Sequence, residues 1–531
     1  MTPRILRHAI TAAMLCIAPA AAATDWPQFG FDAAHSGHNP LETTITPANV
    51  ATLVPAWSGP VTLPAIVDSA PVYASAIETP TGTRDLLFAF GTEGIEDGFA
   101  NVGVVFAIDA ATGELVWSSD PIEGTHHASA SPAIDPNRQY VYSYGLDGFA
   151  HKYRIGDGVE ITVGGWPQVI TLKPSVEKSA GSLTIARSAG HDYLLVVTNG
   201  FDGDPGDYQG HVVSIDLASG AQNVFNVMCS DLTIHFVLEG IPGVNDCNLG
   251  GTSGYGAGQQ GGIWGRGGAT YDAATDRIYI TSGNGDFTAN GLGFEWGDSV
   301  LALAPDGTGN GIGMPWDSYT PENYDELYQQ DMDFGSVSLA VIPAPAGNAI
   351  PHLGLQGGKD GMLRLLNLDD MSGAGAPAHV GGELQLVESP QGGAFSYMKE
   401  QPAVWVDPNG TTWIFVANFK GLSALTVTLD GDNLPLLHTE WWLPNTSKSP
   451  IVANGLVFTA DGQCHSDTCN LVARDARTGA LLWSSPFLDE LHWQSPILVD
   501  GALYITDSNG LMWKFGLPDN DAIFGDGFEG G

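Results

Sequence analysis

The chain has 531 residues, too many for one ordinary hydrophobic core, yet no linker-like stretch divides it. Its 59 acidic residues against 19 basic ones give a formal net charge of −40, which repels nucleic acid and anionic lipid and leaves solubility, a metal cation or a basic electron-carrier protein as its readings. A content of 69 glycines, 33 prolines and 43% hydrophobic residues suits a globular protein dense in tight turns.

The chain opens with Arg4 and Arg7, a short apolar run Ala9–Ala18 and the small residues Ala21-Ala22-Ala23 before Thr24. This pattern predicts a secretory signal peptide over residues 1–23. The apolar run is too short to span a bilayer, and Leu15 directly before Cys16 argues against lipoprotein processing. The expected product is a soluble exported protein, periplasmic, with no membrane insertion.

Beyond the leader, units of short alternating runs rich in Val, Ile, Tyr, Phe and Trp follow one another, separated by Gly or Asp-Gly. No helical periodicity is sustained. Eight units can be drawn: Asp68–Ser119, His126–Gly158, Glu177–Val227, Gly261–Gly309, Asp331–Gly373, Phe395–Pro444, Thr446–Phe487 and a last one from Leu491. Several end in a turn A-x-D-x-x-[ST]-G, as in Ala107–Trp117, Ser214–Gly220 and Ala473–Trp483. All-β self-similarity of this kind predicts an eight-bladed β-propeller of four-stranded antiparallel blades in a single domain, residues 24–518. The last blade lacks a fourth strand, and Val50–Trp57 is expected to supply it, closing the ring without an open sheet edge. Two insertions, Met228–Gly258 and Asn310–Gln330, interrupt the repeat, and residues 519–531 read as a disordered acidic tail.

Four cysteines remain after the leader, as suits an oxidising compartment. Cys464 and Cys469 bracket a short loop and are expected to pair, which leaves Cys229 with Cys247; the rival reading is a metal site at Cys464, His465 and Cys469. There is no C-x-x-C-H, so no covalently attached haem is encoded.

A proline opens several first strands: Pro71, Pro132, Pro402, Pro450 and Pro496. A strand can begin with Pro at no cost in ladder bonds, so the position three residues earlier recurs in each blade. It holds Asp68, Ser129, Lys399, Ser447 and Trp493, and alignment of the remaining blades adds Ser179, Trp264 and Asp333. Two carboxylates, an ammonium and two indoles at one structural level suit a planar, polarisable ligand; a water-filled channel tolerates the same residues.

The N-terminal DWPQFGFDAAHSGHNPLETTITPANVATLVPAW and the A-x-D-x-x-T-G-x-x-x-W turns resemble the pyrroloquinoline-quinone-type propellers, the quinoprotein alcohol dehydrogenases and their relatives. The segment GGIWGRGGATYDAATDRIYITSGN resembles the one whose Trp stacks under the quinone and whose Asn ligates the metal, which implies those roles for Trp264 and Asn284. By the same resemblance DFGSVSL implies Asp333 as catalytic base, with Asp331 beside it, and GGKDGMLRLLNLD implies Lys359 as the cation at the quinone oxygens. The family's vicinal Cys-Cys pair is absent, with ASASPAID in its place. In place of its metal-ligating Glu, the loop NGFDGDPGDYQG offers Asp202, Asp204 and Asp207. The resemblance implies pyrroloquinoline quinone and Ca²⁺ as cofactors, a small-molecule alcohol as substrate and a separate electron carrier as partner. The alternative is a non-catalytic scaffold of the same family.

Overall fold

The computed structural model describes residues 24–518 apart from 94–100, 125, 205, 233–235, 237–260, 391, 393–395, 445–446, 463 and 465–468. The expected signal peptide, the acidic tail and most of the first insertion lie outside the described residues. So do Cys247 and His465.

The β-branched and aromatic runs form up-and-down antiparallel sheets. In the first blade, Val72–Thr79, Gly82–Glu93, Asn101–Asp109 and Leu115–Ser118 pair in sequence order. The same meander repeats through blades whose first strands are Ala133–Ile134, Thr184–Ser188, Thr270–Asp272, Ala340–Pro343, Ala403–Val406 and Ser447–Ala453. The eighth blade has Ile497–Val499, Ala502–Thr506 and Leu511–Gly516, and its fourth strand is Val54–Pro55, with Val54 opposite Gly516 and Pro55 opposite Phe515. The fold is thus the eight-bladed propeller that the repeats imply, closed by the N-terminal strand.

Each blade buries both faces against its neighbours. One apolar cluster joins Phe458 of the seventh blade, Tyr504 and Phe515 of the eighth and Leu87 and Phe106 of the first, all nearly free of solvent. From the first blade round to the eighth, each first strand touches the first strand of the next, so these strands line the axis.

The repeated turn has a plain electrostatic basis. Asp109 Oδ1 accepts the N–H groups of Ala111 and Thr112 at 2.8 and 3.2 Å. Asp475 Oδ1 does the same for Arg477 and Thr478 at 3.0 and 2.9 Å, an Asx turn that fixes the hairpin. The following Gly113 and Gly479 have φ of 78° and 71°, and an indole from the preceding blade lies against each. Trp57 Nε1 donates to Ala111 O and Trp441 Nε1 to Ala476 O, both at 3.1 Å. The Trp of the motif therefore clasps the next blade: Trp117 Nε1 reaches Ile155 O and Trp483 Nε1 reaches Leu53 O, both at 3.0 Å.

The segment before the closing strand crosses the axis. Backbone or amide side-chain hydrogen bonds join Trp26 to Tyr73, Pro27 to Ile134, Gln28 to Ile185, Ala33 to Tyr271, Ser36 to Val404, Gly37 to Val452 and Asn39 to Leu498. These partners lie in the first strands of seven blades, about five residues beyond the recurring position. At ~3.3 Å per residue, the segment closes the channel roughly 16 Å from the mouth that the recurring position forms.

The outer strands depart from the sequence reading. Asn310–Gln330, expected as an insertion, contains Asp317–Tyr319, the fourth strand of the fourth blade, followed by the short helix Tyr324–Gln329. The fourth strands of the second and fifth blades, Gln168–Val169 and Gln385–Glu388, fall beyond the bounds drawn for those units. These three outer strands are only two to four residues long, too short to show hydrophobic alternation. Among the described residues no helix is long and apolar enough to cross a membrane.

Candidate active site at the channel mouth

The loops entering the first strands carry the recurring residues, and their side chains meet. Trp264 and Trp493 pack edge to face with ring centroids 6.1 Å apart. The Lys359 and Lys399 ammonium groups lie 5.3 and 5.6 Å from the Trp264 ring centre, within cation–π range. Lys399 also lies 5.5 Å from the Phe419 ring. Burial, with the Lys359 charge nearby, lowers the Lys399 ammonium from its ordinary value.

Asp333 is the centre of one half of the mouth. Its Oδ1 accepts the Asn284 N–H at 2.9 Å and its Oδ2 pairs with Lys359 Nζ. Lys359 Nζ also donates to Asp331 O at 3.3 Å and lies 3.7 Å from Asp331 Oδ1. Burial opposes the charge on Lys359, but Asp333 and Asp331 hold its ammonium above the ordinary range. Gly283 makes this convergence possible. A Cβ there would strike Asp333 Oδ1 and lie 3.2 Å from Trp264 Nε1. Asn284 Nδ2 donates to Asp331 Oδ1 at 2.8 Å, while Asn284 Oδ1 is buried with no hydrogen-bond partner among the described residues. Asp204 completes this half: its carboxyl accepts the Tyr208 hydroxyl at 2.8 Å. Burial and the nearby Asp333 and Asp331 raise it above the ordinary carboxylate range.

The other half centres on Asp68. Its Oδ2 faces His492 Nδ1 at 2.8 Å and its Oδ1 accepts the Trp493 N–H at 2.9 Å. Burial pushes this carboxyl up, but His492 and the Trp493 N–H outweigh it and hold it below the usual range. His127 Nε2 lies 3.3 Å from Lys178 Nζ. Burial, then the Lys178 charge, lowers the His127 imidazole to about 4, so it is neutral. Lys178 is 5% exposed and has no salt bridge among the described residues. Exposed Asp202 is close enough to act on Lys178, His127 and Lys399. Asp207 instead receives Lys173 Nζ at 3.1 Å.

Below the mouth lies a buried polar layer. Arg266 donates to Glu400 Oε2 at 2.8 Å and to Ser495 Oγ at 2.7 Å, and its guanidinium lies 5.2 Å from the Trp493 ring and 5.8 Å from that of Phe29. Lys448 Nζ donates to the carbonyls of Leu491 and His492. Of the sequence candidates, Asp68, Trp264, Asn284, Asp333, Lys359, Lys399 and Trp493 are thus joined by contacts, while Asp202 and Asp204 reach them only through their charge; among the described residues no three His, Cys, Asp or Glu side chains cluster to hold a metal ion. Ser129 and Ser179 are buried beside it, and Ser447 takes its place at the head of a strand. The sequence reading missed Lys178, Glu400, Lys448 and His492. Each is a charged residue or His directly beside a recurring position, which is the signal that would have found them.

The cysteines divide. Cys229 is disulfide-bonded, and Cys247 lies outside the described residues. Cys464 and Cys469, expected as a disulfide, are both buried free thiols. Cys469 heads a strand opposite Gly462 and its sulfur lies against Asp489 O at 3.8 Å. The two thiols are not joined, and the neighbouring Cys469 with burial pushes the Cys464 thiol up.

Residues 26–139 match the family model "PQQ: Glucose/ethanol/alcohol dehydrogenase, beta-propeller domain". No curated protein is found as a sequence relative. Among solved structures, the quinohemoprotein alcohol dehydrogenase from Comamonas testosteroni superposes with a TM-score of 0.59 at 17% identity, over 93% of this chain and 80% of that one. A europium-containing methanol dehydrogenase gives 0.60 at 14% identity, over 93% and 98%. At these identities the structures speak for the fold. The chain therefore resembles the pyrroloquinoline-quinone-type propellers in sequence over residues 26–139 and in architecture over most of its length.

Proposed function

We propose that this protein is a periplasmic quinoprotein dehydrogenase that oxidises an alcohol-type substrate and hands electrons to a separate carrier. One observation carries the reading: Asp333 and Lys359 form an ion pair against the face of Trp264, beside Asn284, whose Oδ1 has no partner among the described residues. A buried carbonyl oxygen with no donor among the described residues suits a cation, and the Asp331 and Asp333 carboxylates bonded to the same residue favour hard Ca²⁺. An indole face flanked by ammonium groups suits a planar anion.

In this reading Trp264 and Trp493 frame the pyrroloquinoline quinone, Lys178 and Lys399 face its negative charge, and Asn284 with Asp204 and Asp331 holds Ca²⁺. When bound, the quinone would supply the two-electron acceptor and the cation Lewis-acid polarisation. Asp333 takes the hydroxyl proton of the substrate; the Asn284 N–H fixes its Oδ1 and leaves Oδ2 to exchange between Lys359 and the proton. Lys359, held between Asp333 and Asp331, would supply a positive charge for a bound quinone's oxygens. The N-terminal segment closes the far end of the channel, so substrate enters and leaves by the mouth.

The test adds pyrroloquinoline quinone and Ca²⁺ to the purified protein. The expected result is dye-linked alcohol oxidation that Asp333→Asn abolishes, with a fall of at least 10³-fold, the upper part of the range for a lost acid–base group. Absence of any quinone binding, by absorbance or thermal shift, would establish the second reading, a scaffold of the same fold. The absence of the family's vicinal Cys-Cys pair, with ASASPAID in its place, is what favours that alternative.

A further inference from the structure

Asn284 and Asp333 belong to different blades, and besides their direct hydrogen bond a third residue bridges the two loops. Asp298, at the entry to the third strand of the fourth blade, lies under both and is 1% exposed. Its peptide N–H donates to Gly283 O at 2.9 Å, directly before Asn284. Its carboxyl Oδ1 accepts the Phe334 N–H at 3.0 Å, directly after Asp333. The residue holds a left-handed φ of 47°, a conformation that costs free energy outside glycine. Its Oδ2 is buried and has no partner among the described residues.

The three segments also touch without side chains between them. A Cβ on Gly335 would lie 2.5 Å from Gly283 N and from the Ser282 carbonyl carbon, and one on Gly297 would strike Gly285 O. The Asn284 N–H to Asp333 Oδ1 contact closes the triangle at 2.9 Å.

We propose that Asp298 is a positioning residue: one carboxyl oxygen and one peptide N–H tie the Asn284 loop to the Asp333 turn and set the spacing between them. The roles of the two tied residues rest on the dehydrogenase reading; the tie itself does not. A buried carboxyl with one idle oxygen is most stable as the neutral acid, and burial, with Asp333 and Asp360 nearby, pushes it well above the ordinary range. Asparagine is therefore the conservative replacement, since it keeps one carbonyl acceptor and no charge.

Hydrogen exchange read by mass spectrometry on the full chain, without added cofactor, tests the tie. In Asp298→Ala, peptides covering residues 282–286 and 331–336 should exchange at least tenfold faster while strands of the first and second blades keep their protection. Asp298→Asn should stay within threefold of the parent. Asp298→Glu, whose longer arm overshoots the Phe334 N–H, replaces the alanine variant with the same expectation if that variant does not fold. Added pyrroloquinoline quinone and Ca²⁺ give a second readout: kcat falls at least tenfold in the alanine variant, KM stays within threefold, and asparagine restores kcat. Unchanged protection in the alanine and glutamate variants overturns the proposal, as does an asparagine variant as loose as alanine. If the parent protein oxidises no alcohol yet shows the exchange pattern, the dehydrogenase reading fails and the tie stands.

Discussion

Glu177 and His127, both next to the mouth network, carry opposite pH signatures. Burial keeps Glu177 protonated up to about 8, even though Thr171 and the Gln209 N–H donate to its carboxyl. In the unfolded chain the same group releases its proton near 4.5. Between these values the native state holds a proton that the unfolded state has lost, so stability falls as pH rises through that window. Glu177→Gln removes the cost. It should stabilise the protein by about 1–3 kcal/mol at pH 8 and by little near pH 5, read as the difference in Tm between variant and parent at the two values. A gain that is equal or larger at pH 5 contradicts the assignment. His127 works in the other direction. Its imidazole stays neutral down to about 4 against an ordinary 6.5, so its contribution is complete above 6.5 and lost as pH falls toward 4. His127→Gln, which can still accept from Lys178, should flatten the acid limb of a Tm–pH profile between those values. Neither residue could be weighted from the sequence. The proline register assigned one position per blade, and burial of its neighbours depends on how eight loops converge.

At the scale of the element, the repeated turn was legible in full and the outer strands were not. A-x-D-x-x-[ST]-G writes its own structure locally, because the Asp109 and Asp475 carboxylates need only N–H groups two and three residues on. Asp317–Tyr319 and Gln168–Val169 are strands only because a neighbouring strand pairs with them, and no local pattern marks them. The indole clasp links the two levels. Trp117→Phe removes the donor to Ile155 O and the five-membered half of the buried indole, and should cost about 2 kcal/mol, one hydrogen bond plus the lost burial. Gly158→Ala should cost more, because it forces a Cβ into the Trp117 ring at a φ of 68°. A denaturant melt in which the glycine variant is the more stable of the two would show that the turn does not bear on the indole. The paired thiols give a chemical check on the seventh blade. Without reductant, iodoacetamide should alkylate Cys464 and Cys469 only after denaturation, since both are buried. A parent mass that never gains these labels would mean that the pair is oxidised.

For the whole molecule, the eight-fold count and the closing strand were readable because each blade repeats the same short-range pattern, whereas the N-terminal plug was not. Residues 26–39 have no strand periodicity, and their role exists only because the first strands of seven blades present free backbone groups to the axis at one level. The plug buries Trp26 and His35 almost completely. His35 Nδ1 lies 2.7 Å from Phe29 O, and its Nε2 lies 2.9 Å from Thr184 Oγ1 and 3.2 Å from Ala269 O, joining the plug to the third and fourth blades. It is also the floor under Arg266, which stacks between Phe29 and Trp493. A propeller whose blades touch only their neighbours would unfold blade by blade; a segment bonded to seven of them couples them all. Removing residues 24–40 while keeping the closing strand at Val54–Pro55 should therefore do more than lower stability. It should split one cooperative thermal transition into a broad or multiple one and expose the Arg266–Glu400 layer to solvent from beneath. Differential scanning calorimetry of the mature and truncated chains reads the first effect, and acrylamide quenching of tryptophan fluorescence, with Trp493 newly accessible, reads the second. A truncated chain that melts in one sharp transition with unchanged quenching would mean that the ring of blades is held by its strand closure alone.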